Sequence, residues 1–247
     1  MSRYKYITLC VKNNIIINII IMKTILIIPF RNREKHLNYF LNNSLPRLNI
    51  VIPNLQVIIV EQTEGKRFNR GATINIGYDY YKNDDYFYIT HDVDVNPIND
   101  DAVSFYERVV KDGEFLGIYS DGETLGGVVK FTGSTFNKIN GFPNDYWGWG
   151  HEDKELQNRA EHFNCKIEKL IKFHEYEKKK LYFKIFEDDH IREECGKWYD
   201  SYRHFNKLSV NDQKNNINSN GLNTLKYKIL KESNLKPNVK KIRVEIL

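Results

Sequence analysis

At 247 residues the chain is long enough for one α/β domain with a sizeable core. Its formal net charge of +5 comes from 37 basic residues spread along the chain against 32 acids, with patches only at Lys178 to Lys180 and Lys240 to Arg243. No aromatic-basic motif or zinc-ligand spacing accompanies that charge, which excludes a nucleic-acid-binding class and leaves an anionic small substrate such as a nucleotide. Three scattered cysteines, Cys10, Cys165 and Cys195, exclude a disulfide framework and fit a reducing compartment.

In chain order, the first apolar run, "NNIIINIIIMKTILIIPF", is broken by Asn18 and Lys23, and no small-residue cleavage site follows it. It falls short of the roughly 18 uninterrupted residues that cross a bilayer. Residues 1–22 are read as an N-terminal extension, with Met22 a candidate start, and 23–247 as the domain, with no membrane span. The runs "TILIIPF", "LQVIIVEQ", "YFYITHD" and "FLGIYS" predict buried strands. Between them lie the amphipathic or mixed segments "REKHLNYFLNNSL", "ATINIGYDYYKN" and "DAVSFYERVV". That alternation predicts an α/β fold with a mainly parallel sheet and a ligand site at the carboxyl ends of its strands. Three polar stretches then share one rim: "FRNRE", "EQTEGKRFNRG" and "HDVDVNPIND". Further on, "NDYWGWGHEDKE" is a loop, because Gly148 and Gly150 flank Trp149. A helix starts at Glu152, with Leu156, Ala160 and Phe163 at helical spacing and Glu152 and Asp153 in the first turn. Beyond Cys165 the pattern weakens. Residues 176–220 read as irregular, and the terminal "KIRVEIL" reads as a strand.

On the rim, Asp92 and Asp94 lie two apart after an apolar strand, so an extended backbone aims both to one side. Carboxylates so paired repel unless a cation lies between them, and hard oxygen ligands suit Mg or Mn. A histidine ligand tilts the choice toward Mn, although a lone histidine such as His91 is more often plain core or surface. Arg31, Arg33, Lys66, Arg67 and Arg70 offer phosphate-binding cations, and Phe30 or Phe68 a ring to stack on a base. With the aromatic loop that bears Glu152 and Asp153, these groups describe a nucleotide-sugar site.

The segments "IIPFRNREKHL", "VEQ", "FNRGATINIGY", "DYFYITHDVDVNPIND", "LGGVVKF", "INGFPNDYWGWGHEDKELQNR" and "NGLNTLKYKIL" follow the order, and nearly the wording, of the β-1,4-galactosyltransferase family. The chain resembles that family over about residues 24–230. The resemblance implies a Rossmann-like nucleotide-sugar transferase fold and an inverting transfer of galactose or N-acetylgalactosamine. The donor would be UDP-galactose or UDP-N-acetylgalactosamine, the acceptor a glycan hydroxyl, the linkage β-1,4-type, and the metal Mn, with Mg as the alternative. It assigns Pro29, Phe30, Arg31 and Arg33 to the first donor motif, and Phe68 and Arg70 to the uridine side. Asp92 faces the donor, Asp94 ligates the metal, and Thr124 and Gly126 lie against the donor sugar. Trp149 closes over donor and acceptor. Glu152 is the acceptor-binding acid and Asp153 the catalytic base. His174, in "KFHEYEKKK", is the implied histidine ligand, with His190 the alternative.

Four departures qualify the resemblance: His151 replaces a glycine, Lys154 an acid, and Thr124 and Leu125 two aromatics. The membrane anchor and disulfides of the animal enzymes have no counterpart here, which leads to the expectation of a microbial or viral, cytoplasmic relative. Two rival readings remain. A haloacid-dehalogenase-type phosphatase also uses an Asp-x-Asp after an apolar strand, with "FEDD" at 186–189 as its later acids, but it leaves the tryptophan loop unexplained. A non-catalytic carbohydrate-binding relative would bind without turnover.

Overall fold

A computed structural model describes residues 6–11, 15–20, 22–120, 122–148, 150–172, 174–186 and 210–247. Strands β1 (Tyr6–Val11) and β2 (Ile15–Ile20) form an antiparallel hairpin outside the main sheet. The central strand β3 (Thr24–Phe30) is buried at all seven positions. Its residues alternate between two cores: Leu26, Ile28 and Phe30 face one, Ile25 and Ile27 the other. A strand covered on both faces needs an unbroken apolar run, and "TILIIPF" supplies one.

Helix α1 (Glu34–Tyr39) runs through a wider π turn, Phe40–Ser44, into α2 (Leu45–Val51). Strand β4 (Leu55–Gln62) returns parallel to β3, and α3 (Arg70–Tyr80) starts under an Asn69 cap that accepts from the Ala72 amide. Strand β5 (Phe87–His91) lies parallel on the other side of β3. After β6 (Val95–Pro97) and α4 (Asp100–Ser104) come β7 (Glu114–Ser120), β8 (Val128–Thr132) and α5 (Gly133–Lys138). Then follow α6 (Glu152–His162), β9 (Lys166–Lys172), α7 (Tyr176–Tyr182), β10 (Phe183–Ile185) and α8 (Val210–Ser219). Strands β11 (Tyr227–Lys236) and β12 (Val239–Ile246) close the chain. The main sheet has eight strands in the order β11-β12-β4-β3-β5-β8-β7-β9.

The strands expected from apolar runs are β3, β4, β5, β7 and β12, and the helix expected at Glu152 is α6. The main sheet is mainly parallel, as expected. Strand β8, which the apolar runs do not predict, runs antiparallel between β5 and β7. Its five residues sit between a glycine-rich loop and a capped helix, too short a run to separate from either by pattern. Residues 176–186 are ordered as α7 and β10, and 210–219 as α8, where irregular chain was expected. Glutamate and lysine are good helix formers, and β10 gains its place only by pairing with β6. Residues 187–209, which include the acids of "FEDD" and His190, lie outside the described residues. The strand before the acids also departs from expectation, ending at His91. The Val95 amide donates to the Asp92 carbonyl at 3.1 Å, so 92–95 form a turn, and the two carboxylates pair with different arginines, Asp92 with Arg70 and Asp94 with Arg33.

Candidate active site

The carboxyl ends of β3, β4 and β5 open onto one rim, where residues far apart in sequence meet. Gln62, at the end of β4, orders the next loop by accepting from the Asn69 amide at 2.7 Å and donating to the Arg67 carbonyl at 2.9 Å. That fixes the start of α3 and aims Arg70 across the rim. Its Nε donates to Asp92 Oδ1 at 2.8 Å, and its Nη1 lies 3.4 Å from Glu152 Oε1, on α6. Arg70 Nη2 and Thr124 Oγ1 belong to a small set of buried side-chain polar atoms that have no hydrogen-bond partner among the described residues. Buried polar atoms are rarely left so, and two on one rim mark a place for a ligand.

The electrostatics agree with that reading. Burial pushes the Glu152 carboxyl up to about 7, with Asp153 adding to the shift and Arg70 opposing it. Burial also raises Asp92, against the pull of Arg70. Burial works against the charge on Arg70, but Asp92, Glu152 and Asp153 outweigh it and hold the guanidinium ionised. His91 is wholly buried, and burial pushes its pKa down to about 4. Its Nδ1 lies 2.9 Å from the Asp92 carbonyl, which can only accept, so Nδ1 carries the proton and Nε2 accepts from the Tyr106 hydroxyl at 2.9 Å. His91 is therefore a core anchor under the acids.

Asp153 is gripped on three sides. Its Oδ1 accepts from the Lys154 amide at 2.8 Å, and its carbonyl accepts from the Leu125 amide at 3.1 Å. A Cβ placed on Gly126 would stand 2.5 Å from Oδ2, so only a glycine lets the chain pass this close to the carboxylate.

The loop before α6 is held at its base by asparagines. Asn69 donates to the Asn144 carbonyl at 2.7 Å, Asn75 to the Phe142 carbonyl at 2.8 Å, and Asn144 to the Gly221 carbonyl at 2.6 Å. Tyr146 donates to Glu155 Oε2 at 2.6 Å, and Glu155 pairs at 2.9 Å with Arg159, which is wholly buried and also reaches the Asn220 carbonyl at 2.7 Å. The Gly148 amide donates to the Phe68 carbonyl at 2.8 Å, and His151 enters the helix with a left-handed φ of 68°. Trp149 lies outside the described residues.

The other expected residues divide. Arg31 donates to the Lys66 carbonyl at 2.8 Å and sits over the half-buried Phe68 ring at 5.2 Å, on the rim as expected. Arg33 lies 3.4 Å from Asp94. Pro29 and Phe30 are buried within β3. Phe30 is 0% exposed in the core beside Leu26 and Ile28, which corrects the expectation that its ring stacks on a base. His174 is exposed beside Gly122, and no group of three or more His, Cys, Asp or Glu side chains able to hold a metal occurs among the described residues. Asp94 still fits a hard cation. It offers a carboxylate at 13% exposure, and its carbonyl accepts at 3.1 Å from the amide of Phe186, four residues before His190. Sequence reasoning missed Lys169, Glu155, Arg159 and the asparagines. Of these only the Glu155–Arg159 pair, four apart on one helix, leaves a local signal.

A mixed α/β sheet whose strand ends carry carboxylates, arginines and an aromatic loop has the build of a GT-A glycosyltransferase. The catalytic domain of Drosophila β-1,4-galactosyltransferase 7, solved with xylobiose, superposes with a TM-score of 0.72 at 23% identity, covering 92% of this chain and 94% of that one. A mutant of that enzyme in complex with manganese, UDP-Gal and xylobiose gives a TM-score of 0.68 over the same coverage. At that identity these likenesses speak for the fold. The model for the N-terminal region of glycosyl transferase group 7 matches residues 19–107, and that for the N-terminal domain of galactosyltransferase matches 107–183. Human β-1,4-galactosyltransferase 4 is 37% identical over 159 residues, 61% of this chain and 46% of that protein. A Lymnaea stagnalis β-N-acetyl-D-glucosaminide β-1,4-N-acetylglucosaminyl-transferase is 40% identical over 156 residues, 59% of this chain and 31% of that protein. The chain belongs to the β-1,4-galactosyltransferase family. It spans less than half the length of these curated relatives.

The expected microbial or viral, cytoplasmic origin is corrected, because the matching relatives are the animal enzymes themselves. The chain spans only part of those relatives, so nothing about an anchor follows from it. Among the described residues no helix is long and apolar enough to cross a membrane.

Proposed function

We propose that residues 23–247 form an inverting glycosyltransferase unit that moves galactose or N-acetylgalactosamine from a UDP-sugar to a glycan hydroxyl in β-1,4-type linkage. The observation that carries this reading is the meeting of Arg70, Asp92, Glu152 and Asp153 on the strand-end rim, beside the two unpartnered polar atoms of Arg70 and Thr124. The family's galactosyl and N-acetylglucosaminyl transferases, and the fly enzyme seen with manganese, UDP-Gal and xylobiose, support the donor and acceptor classes.

Asp153 acts as the base. Its carboxylate takes the proton of the acceptor hydroxyl while that oxygen forms its bond to the anomeric carbon, and the breaking bond leaves its electron pair on the diphosphate. A positioned base contributes about 10² to 10⁴-fold. Glu152, beside it, receives an acceptor hydroxyl, and Arg70 keeps both acids and Asp92 in register. Arg31 and Phe68 hold the uridine side. A divalent cation, when bound, neutralises charge on the departing diphosphate, and Asp94 with His174 or His190 would hold it. Trp149 excludes water over the site. Thr124, half-buried and without a ring, leaves space for an N-acetyl group on the donor.

The test is UDP release from a panel of UDP-sugars, with and without Mn and with acceptors ending in N-acetylglucosamine or xylose. UDP-galactose or UDP-N-acetylgalactosamine should be consumed with Mn and spared in excess chelator. No release from any UDP-hexose would overturn the proposal.

A further inference from the structure

We propose that Lys169 is a positioning residue that holds the donor-sugar loop, residues 122–127, against α6. The inference rests on the assignment of Asp153 and that loop to the transfer site. The loop leaves β7 after Ser120, and its tip is exposed at Gly122 and Glu123. On the Asp153 side it is fixed by the Leu125 amide and the close pass of Gly126. On the other side Lys169 reaches it from β9. The ammonium donates to the Gly122 carbonyl at 2.9 Å, the Thr124 carbonyl at 2.8 Å and Gln157 Oε1 at 2.7 Å. An ammonium has three hydrogens, and each has an acceptor here. Gln157 lies one turn beyond Asp153 on the same helix, so one cation ties the sheet, the loop and the base-bearing helix together.

A second observation points the same way. Gly117 pairs with Lys169 across β7 and β9, and a Cβ at Gly117 would run into the Ser120 hydroxyl and stand 3.2 Å from Lys169 Cγ. A glycine inside a strand weakens it unless something must pass close by, and here the Ser120 hydroxyl and the lysine stem share the space over it. Without the ammonium, the Gly122 and Thr124 carbonyls lose this donor, and the Leu125 amide bond to Asp153 must hold the loop against more motion. The sugar side of the donor site loosens, while Arg31 and Phe68, on the uridine side, are untouched.

Lys169→Met keeps the stem and removes the donors, and Lys169→Arg restores a cation with a different shape. Hydrogen exchange at the Leu125 amide, measured without ligand, should speed at least about tenfold in Lys169→Met and less in Lys169→Arg. The KM for the UDP-sugar should rise about tenfold in Lys169→Met, while affinity for UDP alone stays within about twofold of wild type. Unchanged exchange at Leu125 overturns the proposal, as does a parallel loss of UDP and UDP-sugar affinity. If Lys169→Met fails to fold, Lys169→Gln, which cannot supply three donors, carries the exchange test, and unchanged exchange at Leu125 in it overturns the proposal. A wild type that turns over no UDP-sugar would defeat the transferase reading, and the exchange rate at Leu125 would still decide whether Lys169 holds the loop.

Discussion

Gly126→Ala is the sharpest test of where the base sits. The added Cβ would stand 2.5 Å from Asp153 Oδ2, 3.4 Å from its Cγ and 3.5 Å from its Cβ, while ordinary contact begins at 3.4 Å. The carboxylate, or the loop, must give by roughly 0.9 Å, since only Oδ2 is overlapped. The Leu125 amide bond to the Asp153 carbonyl couples the two backbones, so neither moves far alone. The carboxylate therefore rotates away from the acceptor. A misplacement of about 1 Å can cost on the order of 10²-fold, close to 2.7 kcal/mol of barrier. Overpacking of this kind costs about 1 to 3 kcal/mol of stability, a fall of several degrees in Tm that leaves the chain folded at assay temperature. The assay pairs transfer to acceptor with UDP binding by calorimetry: kcat should fall about 100-fold while UDP affinity holds. A Gly126→Ala enzyme with kcat within about threefold of wild type would show that the chemistry does not depend on Asp153 Oδ2 at its present position.

Asp153→Asn preserves the shape and the contact with the Lys154 amide but cannot take a proton, so transfer should fall at least ~10²-fold with donor binding kept. Near-normal transfer would move the base elsewhere. Burial lifts the Glu152 carboxyl from 4.5 to about 7, so the folded chain holds a proton that the unfolded chain releases. Glu152 thus lowers stability progressively as pH rises from about 4.5 through 7, by on the order of 3 kcal/mol once fully ionised. Tm of Glu152→Gln relative to wild type should then be higher at pH 8 than at pH 5, and a pH-independent difference would contradict the buried-acid account. Arg159→Met strands the Glu155 carboxylate in the core and should cost about 3 to 5 kcal/mol in chemical denaturation, much of it recovered by adding Glu155→Gln. Equal stability of wild type and Arg159→Met would mean the pair is not a fastening. Thr124→Tyr should shift preference from UDP-N-acetylgalactosamine toward UDP-galactose by about 10 to 200-fold, and a wild type that already rejects the N-acetylated donor would count against the open wall at Thr124.

The sequence by itself determined the strands whose runs are apolar on both faces, β3, β4, β5 and β7, and the rim that their polar ends share. It also determined the loop-to-helix junction that puts Glu152 and Asp153 in the first turn of α6, because glycine spacing and helical periodicity are local properties of the chain. Tertiary structure decided the rest. In β3 both faces are apolar, so no pattern revealed that Phe30 points into the core with Leu26 and Ile28 while Arg31, one residue on, reaches Phe68. Asp92 and Asp94 read as a pair, yet the turn after His91 sends one to Arg70 and the other to Arg33. Arg70 and Glu152 are 82 residues apart, and Lys169 meets Gly122 across 47. Such pairings leave no mark in local spacing. Periodicity tells which face a residue shares, while the partner across that face is set by strand order and register. Those are fixed only when the whole sheet closes around two buried cores.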